Sequence, residues 1–273
     1  MELRSLGGTG LMVSPVGLGT VKFGRNRGVK YPAPFDLPDD ATLADLLAVA
    51  ADLGINLLDT APAYGSAEER LGRLLAGQRD RWLLATKVGE EFDGNVSRFD
   101  FSPSAVRRSV ERSLRRLRTD RLDIVSVHSD GGEESLARFA DTLEALRNLQ
   151  RGGALRAVGF SGKSLAGGMM AAAYCDVVML TYNPAHRAEQ PAIAAAQRAG
   201  KAVLVKKALA SGHLPGLGGG GALEAALRFV LAEPGVSSVV LGSLDPAHLA
   251  ANVAAATAAL RRPPPAPAFR TGS

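Results

Sequence analysis

Short apolar runs alternate with segments of helical period along nearly the whole chain, and that alternation limits the fold more than any single motif. Apolar stretches at 16–19, 56–59, 82–87, 122–128, 154–160, 177–182, 202–207 and 238–241 have the length of buried strands. After them, helical spacing predicts helices at about 39–53, 67–76, 103–117, 134–151, 164–173, 190–199, 222–232 and 246–260. Ser102-Pro103, Gln190-Pro191 and Asp245-Pro246 supply caps or first-turn prolines at three of these starts. Strands joined by helices lie parallel, and eight such units in 273 residues fit a closed (β/α)8 TIM barrel of the α/β class. An open doubly wound sheet is the rival, but the first strand lacks the G-x-G-x-x-G turn of a dinucleotide fold. Residues 3–5 and 11–13 flank Gly7-Gly8-Thr9-Gly10 and predict a small N-terminal β-hairpin. The expected organisation is one barrel over residues 1–262 and a Pro-rich, disordered tail over 263–273.

Bulk properties remove several function classes. No run of about 18 apolar residues occurs, so no membrane span is expected, and Met1-Glu2-Leu3-Arg4 lacks a signal-peptide layout. One cysteine, Cys175, excludes an internal disulfide and a multi-cysteine metal site; no metal is expected and the cytoplasm is the default compartment. The net charge of +5 raises the question of nucleic acid. In the densest basic segment, however, Val106, Val110, Leu114 and Leu117 form an apolar helical face, and the arginines fall on the others. A solvated face is the expectation, and no nucleic-acid partner.

The chemistry-bearing residues sit where strands end. Asp59 closes Ile55-Asn56-Leu57-Leu58, and the turn Thr60-Ala61-Pro62-Ala63 presents Tyr64 before Gly65. Lys87 closes the next strand and His128 the one after. In a (β/α)8 barrel all strand C-termini open on one face, so Asp59, Lys87 and His128 converge there with Tyr64. A phenol loses its proton near pH 10. The Lys87 ammonium is expected to lower that value, Asp59 to hold Lys87, and His128 to orient a carbonyl. Singly, each is more simply a cap, a surface charge or a structural histidine; the constellation carries the reading.

Asp59-Thr60-Ala61-x-x-Tyr64-Gly65 with Lys87 and His128 resembles the catalytic tetrad of the aldo-keto reductase family. Gly17-Leu18-Gly19-Thr20, Gly159-Phe160-Ser161, Tyr182-Asn183-Pro184 and Gly242-Ser243-x-x-Pro246-x-x-Leu249-x-x-Asn252 extend the likeness over roughly residues 3 to 260. The resemblance implies a nicotinamide-dependent carbonyl reductase in which Tyr64 supplies the proton. It implies NADP(H) ahead of NAD(H). Cofactor positions carry over to Gly19, Thr20, Asp59, Ser161, Asn183, Lys206, Lys207, Ser211, Gly242, Ser243, His248 and Asn252. There are departures. Gly162 stands where the family usually has Asn, Met179 where it often has Gln, and Lys206 aligns with the aromatic ring that often stacks on the nicotinamide. Gly242 and His248 occupy two places where basic residues typically grip the 2′-phosphate.

Phe23, Tyr31, Phe35, Tyr64, Phe92, Phe99 and Phe101 fall in segments read as loops after the first three strands. Aromatic mouth loops predict an apolar or ring-bearing carbonyl substrate, with Phe23, Tyr31, Phe92 and His128 touching it. Cys175 reads as a buried small residue, and Gly216 to Gly221 as either a clasp over the cofactor or a plain linker. A monomer or weak homo-oligomer is expected. The rival from another class is a cofactor-binding regulatory subunit with little turnover, because fold alone does not settle function.

Overall fold

The computed structural model describes residues 1–31, 33–132, 134–213 and 220–261. The Pro-rich tail and Gly216–Gly219 of the glycine run lie outside them. The chain opens with a two-stranded antiparallel hairpin, β1 (Arg4–Ser5) and β2 (Met12–Val13), before β3 (Val16–Gly19), the one-turn α1 (Val21–Gly24) and α2 (Asp40–Asp52). Then come β4 (Leu57–Asp59), α3 (Ala67–Leu74), β5 (Leu83–Val88) and a second hairpin, β6 (Glu90–Phe92) with β7 (Ser97–Phe99). The remaining units are α4 (Pro103–Leu117), β8 (Leu122–His128), α5 (Glu134–Ala137), α6 (Phe139–Arg151), β9 (Leu155–Ser161), α7 (Leu165–Tyr174) and β10 (Val177–Thr181). They end with α8 (Gln190–Arg198), β11 (Ala202–Lys206), α9 (Gly220–Leu231), β12 (Val236–Leu241) and α10 (Pro246–Arg261).

Eight strands, β3, β4, β5, β8, β9, β10, β11 and β12, are parallel and close into a barrel through β12 pairing with β3. This is the predicted (β/α)8 barrel with its N-terminal hairpin. Its core is double. Outward-facing strand residues such as Leu58, Val125 and Val203 pack against the helix ring. Inward-facing Leu57, Ala85, Ile124, Ala157, Met179 and Leu204 form a separate cluster with Leu6, Leu11 and Val13 of the hairpin. The hairpin therefore plugs the N-terminal end of the barrel, leaving the C-terminal end open. Gly7 makes that plug fit: its φ is +55°, and a Cβ there would lie 2.6 Å from Ala202 N.

Local signals explain the helix starts. Asp39 accepts from Thr42 N at 2.8 Å, Ser102 from Ala105 N at 3.3 Å, and Asp245 from Ala247 N at 2.7 Å. Two differences from expectation stand out. The helix expected at 134–151 breaks at Arg138, where Phe139 turns inward against Phe160, ring centroids 5.7 Å apart. The stretch after β5, expected as loop, forms β6 and β7. Its strands are charged and lack alternation, but Asp93 accepts from both Asn95 N and Val96 N and builds the turn between them.

Candidate active site

Strand register brings the polar strand ends together. Asp59 is level with Gly19 on one side and Ala85 on the other, and His128 is level with Ser161. Thr20 fixes the end of β4, donating to Asp59 O from both its backbone N (2.9 Å) and its hydroxyl (3.0 Å). Beyond Asp59 a 3-10 turn, Pro62–Tyr64, presents the tyrosine. Gly65 ends that turn at φ +61°, and a Cβ on it would fall 2.1 Å from Gly24 O. Only glycine lets the tyrosine turn seat on α1.

Lys87 is 2% exposed and is fully engaged. Its Nζ donates to Asp59 Oδ1 at 2.7 Å and to Thr60 O at 2.8 Å, and lies 4.8 Å from the centre of the Tyr64 ring. Burial works against its charge, but Asp59 and Tyr64 outweigh it, and the pKa is raised. Lys87 thus stays an ammonium, held by Asp59 as expected. The expectation for Tyr64 is corrected in sign. Burial raises its pKa, and the opposing pull of Lys87 does not overcome it. Tyr64 is a protonated phenol over the whole neutral range.

The Tyr64 and His128 rings face each other edge-on, 6.3 Å between centroids. His128 Nδ1 lies 2.9 Å from Glu90 Oε2, with the oxygen off the ring N–H line. Glu90 also accepts from Ser97 Oγ at 2.7 Å and has Arg25 at 3.7 Å. Burial opposes its ionisation, but His128, Ser97 and Arg25 prevail and bring its pKa down to about 2. Burial lowers the pKa of His128, which Glu90 offsets only in part. A carboxylate this close favours a proton on Nδ1, and Nε2 becomes a donor only when the ring takes its second proton. Glu90 is a residue that sequence reasoning missed. Its one signal was an acid three places beyond the strand-end lysine.

A cavity of about 530 Å³ opens at this end of the barrel. Asp59, Tyr64 and His128 line it, together with the expected cofactor residues Gly19, Thr20, Lys206, Lys207, Ser211 and Gly242. Ser161, Asn183, Ser243 and Asn252 lie behind the wall, all under 10% exposed. The Ser161 hydroxyl accepts from Lys206 Nζ at 2.9 Å, and Asn183 uses its amide on Lys207 O and Ala185 N. His248 is exposed on α10 beside Asp245.

Two expected substrate residues do not face the cavity. Phe23 is 0% exposed, packed in the outer core because α1 turns its ring inward, and Phe101 is buried likewise. Phe92 lies under the Arg25 guanidinium, 3.6 Å from its ring centre, and does not line the wall. Tyr31 does line it, with Lys22 Nζ 4.3 Å above its ring. Val21, Val29, Ala33, Leu209, Val240 and Leu241 give the wall an apolar part beside Tyr31. Lys22, Arg25, Lys30, Lys206 and Lys207 stand on the wall against two carboxylates, Asp59 and Glu90, both already engaged.

This donor set fits a polyphosphate-bearing nucleotide. Among the described residues Lys22, Lys30, Lys206 and Lys207 have no carboxylate partner, an arrangement that an anionic ligand completes. At Gly242 the wall is bare backbone, beside the Tyr31 hydroxyl. Backbone strain gathers on the same side. Lys207, Ala210 and Ser211 hold φ of +56°, +47° and +57°, a conformation that non-glycine residues adopt at cost.

Sequence and structure comparisons agree with this geometry. The profile of the aldo/keto reductase family matches residues 15–222. A Pseudomonas aeruginosa protein described as a candidate aldo-keto reductase superposes with a TM-score of 0.85 at 50% identity, covering 94% of this chain and 96% of its own. The holo form of a Bacillus halodurans aldo-keto reductase gives a TM-score of 0.79 at 28% identity, covering 93% and 90%. The Bacillus subtilis aldo-keto reductase YhdN is 34% identical over 169 residues, 60% of this chain and 48% of YhdN. The matched region spans about half the length of the curated relatives. With the profile match extending over more than half of its residues and the barrel closed in the family's form, the chain belongs to the aldo/keto reductase family.

Proposed function

We propose that the protein reduces an aldehyde or ketone to an alcohol with a nicotinamide dinucleotide, Tyr64 acting as proton donor. The observation that supports this most is the pairing on one cavity wall of a protonated phenol and a histidine, with a buried Lys87–Asp59 pair behind the phenol. The bound dinucleotide supplies the hydride. The rest is work for this chain's own residues.

As hydride reaches the carbonyl carbon, negative charge develops on oxygen, and an alkoxide is a far stronger base than a phenolate. Tyr64 needs no depressed pKa to give up its proton at that moment. It needs to be protonated beforehand, and burial ensures that. The phenolate left behind faces the Lys87 ammonium, which stabilises it and which Asp59 keeps charged. His128 borders the same space, and with its second proton, the form that Glu90 favours, its Nε2–H donates to the oxygen.

For the cofactor, Gly19, Thr20, Lys206, Lys207, Ser211 and Gly242 are the wall residues available to it. Ser161, Asn183, Ser243, His248 and Asn252 are proposed from the family pattern, and Ser161, Asn183 and Ser243 require adjustment of side chains now bonded internally. NADP(H) is proposed ahead of NAD(H), on the surplus of unpaired cations at the mouth. No helix among the described residues is long and apolar enough to cross a membrane. A cytoplasmic enzyme acting alone or as a weak homo-oligomer is proposed.

The test is consumption of NADPH and NADH, followed by absorbance, against a panel of aldehydes, ketones and dicarbonyls. Turnover that depends on a carbonyl supports the reading. Tight nucleotide binding with no turnover on any carbonyl favours the regulatory-subunit alternative, and failure to bind either nucleotide overturns the oxidoreductase assignment.

A further inference from the structure

Lys206 ends β11 on the cavity wall shared by Tyr64 and His128. Its Nζ donates to Ser161 Oγ at 2.9 Å and to Gly162 O at 2.7 Å. Both acceptors are neutral, and among the described residues no carboxylate pairs with it. The charged groups facing it are mostly cations: Lys207 from its own loop, Lys87 from β5 and Lys163 from the turn after β9. His128 from β8 faces it too, and Lys206 helps to keep that ring's pKa low. One carboxylate, Glu189 at the start of α8, opposes them, and its Oε1 already accepts from Thr181 N. An ammonium so placed is poorly compensated. Burial and then Lys207 bring its pKa down to about 7.

A ring that gives up hydride in this cavity passes from neutral to cationic while the rest of the dinucleotide is unchanged. Lys206 therefore meets a neutral neighbour in the reduced form and a like charge in the oxidised one. We propose that Lys206 makes the cofactor site discriminate by oxidation state, weakening the oxidised dinucleotide relative to the reduced one while its ammonium is charged. The inference rests on the carbonyl-reductase reading. It adds a direction to it: below neutrality the site holds the hydride donor and releases the spent form, and above neutrality this bias fades. Two unit charges several ångströms apart at an effective dielectric constant near 20 correspond to about a 10- to 100-fold difference in affinity.

The experiment is calorimetric titration of NADPH and of NADP⁺ into wild type, Lys206→Met and Lys206→Arg, at about pH 6 and about pH 9, either side of the lysine's transition. The readout is the ratio of the two dissociation constants, in which the titration of the shared phosphates cancels. In wild type the ratio should favour NADPH by about tenfold or more at the lower pH and shrink toward the higher. Lys206→Arg, permanently charged, should keep the ratio high at both. Lys206→Met should lower it at the lower pH and match wild type at the higher. A wild-type ratio that does not change with pH, or a Met variant that keeps the wild-type ratio at the lower pH, overturns the inference while leaving the reductase reading standing. If wild type binds neither nucleotide, the reductase reading itself falls and takes this one with it. The wild-type pH series stands even where a variant folds poorly.

Discussion

Asp59 and Lys87 form a buried pair in which each removes the other's desolvation problem. Asp59→Asn leaves an ammonium without its partner and should cost about 3–5 kcal/mol of stability, measured by denaturant unfolding. Lys87→Met leaves the buried Asp59 without its partner and should cost a similar amount, and it should also lower turnover, because the Tyr64 phenolate then loses its stabilising charge; kcat measured well below the unfolding midpoint isolates the second effect. Glu90 lends itself to a pH test. Its folded-state pKa, about 2, lies below the unfolded carboxylate value of about 4.3. The ionised group therefore contributes stability above the unfolded value, and that stability is lost as pH falls toward the folded one. Glu90→Gln should flatten this part of an acid-unfolding curve. It should also shift the His128 titration, followed by NMR, to lower pH, because the carboxylate that favours the charged ring is gone. At this scale Asp59, Lys87 and His128 were legible from the sequence, since each is a polar residue where an apolar run stops, and Tyr64 was legible from the Pro-containing turn that follows Asp59. The sign of the Tyr64 shift was not. It depends on how completely the ring is buried, which spacing does not record.

The elements that aim these residues are short and depend on single positions. The turn carrying Tyr64 seats on α1 only because Gly65 has no Cβ. Gly65→Ala should destabilise the protein by at least about 2 kcal/mol and reduce turnover with it, seen as a parallel fall in melting temperature and kcat. Strands and helices of the barrel proper were readable because length, periodicity and caps agree: α4 begins at Pro103 after the Ser102 cap, and β8 runs from Leu122 to His128. The hairpin of β6 and β7 was not readable. Glu90-Glu91-Phe92 has neither alternation nor an apolar face, and the hairpin is made by the turn at Asp93 and by contacts with Arg25 and His128. Phe23 misled for the opposite reason. An aromatic residue inside a polar stretch reads as mouth, whereas a one-turn helix folds it into the core.

Across the whole molecule, stability and chemistry sit at opposite ends of the barrel. The hairpin residues Leu6, Leu11 and Val13 fill the N-terminal end, and the cationic cavity occupies the C-terminal end. Leu6→Ala should cost about 2–5 kcal/mol while leaving the KM for carbonyl and nucleotide unchanged. The overall charge of +5 gave no hint of this arrangement, because the cavity lysines are few among 32 basic residues and come together only when the barrel closes. Tyr64 as the proton source of a carbonyl reduction is open to one side-by-side measurement. Wild type and Tyr64→Phe would be compared for NADPH-dependent reduction of the best carbonyl substrate, with NADPH affinity measured on both. A proton-donating Tyr64 predicts a fall in kcat of about 10²- to 10⁴-fold with nucleotide affinity retained. A Phe variant that turns over like wild type would contradict it.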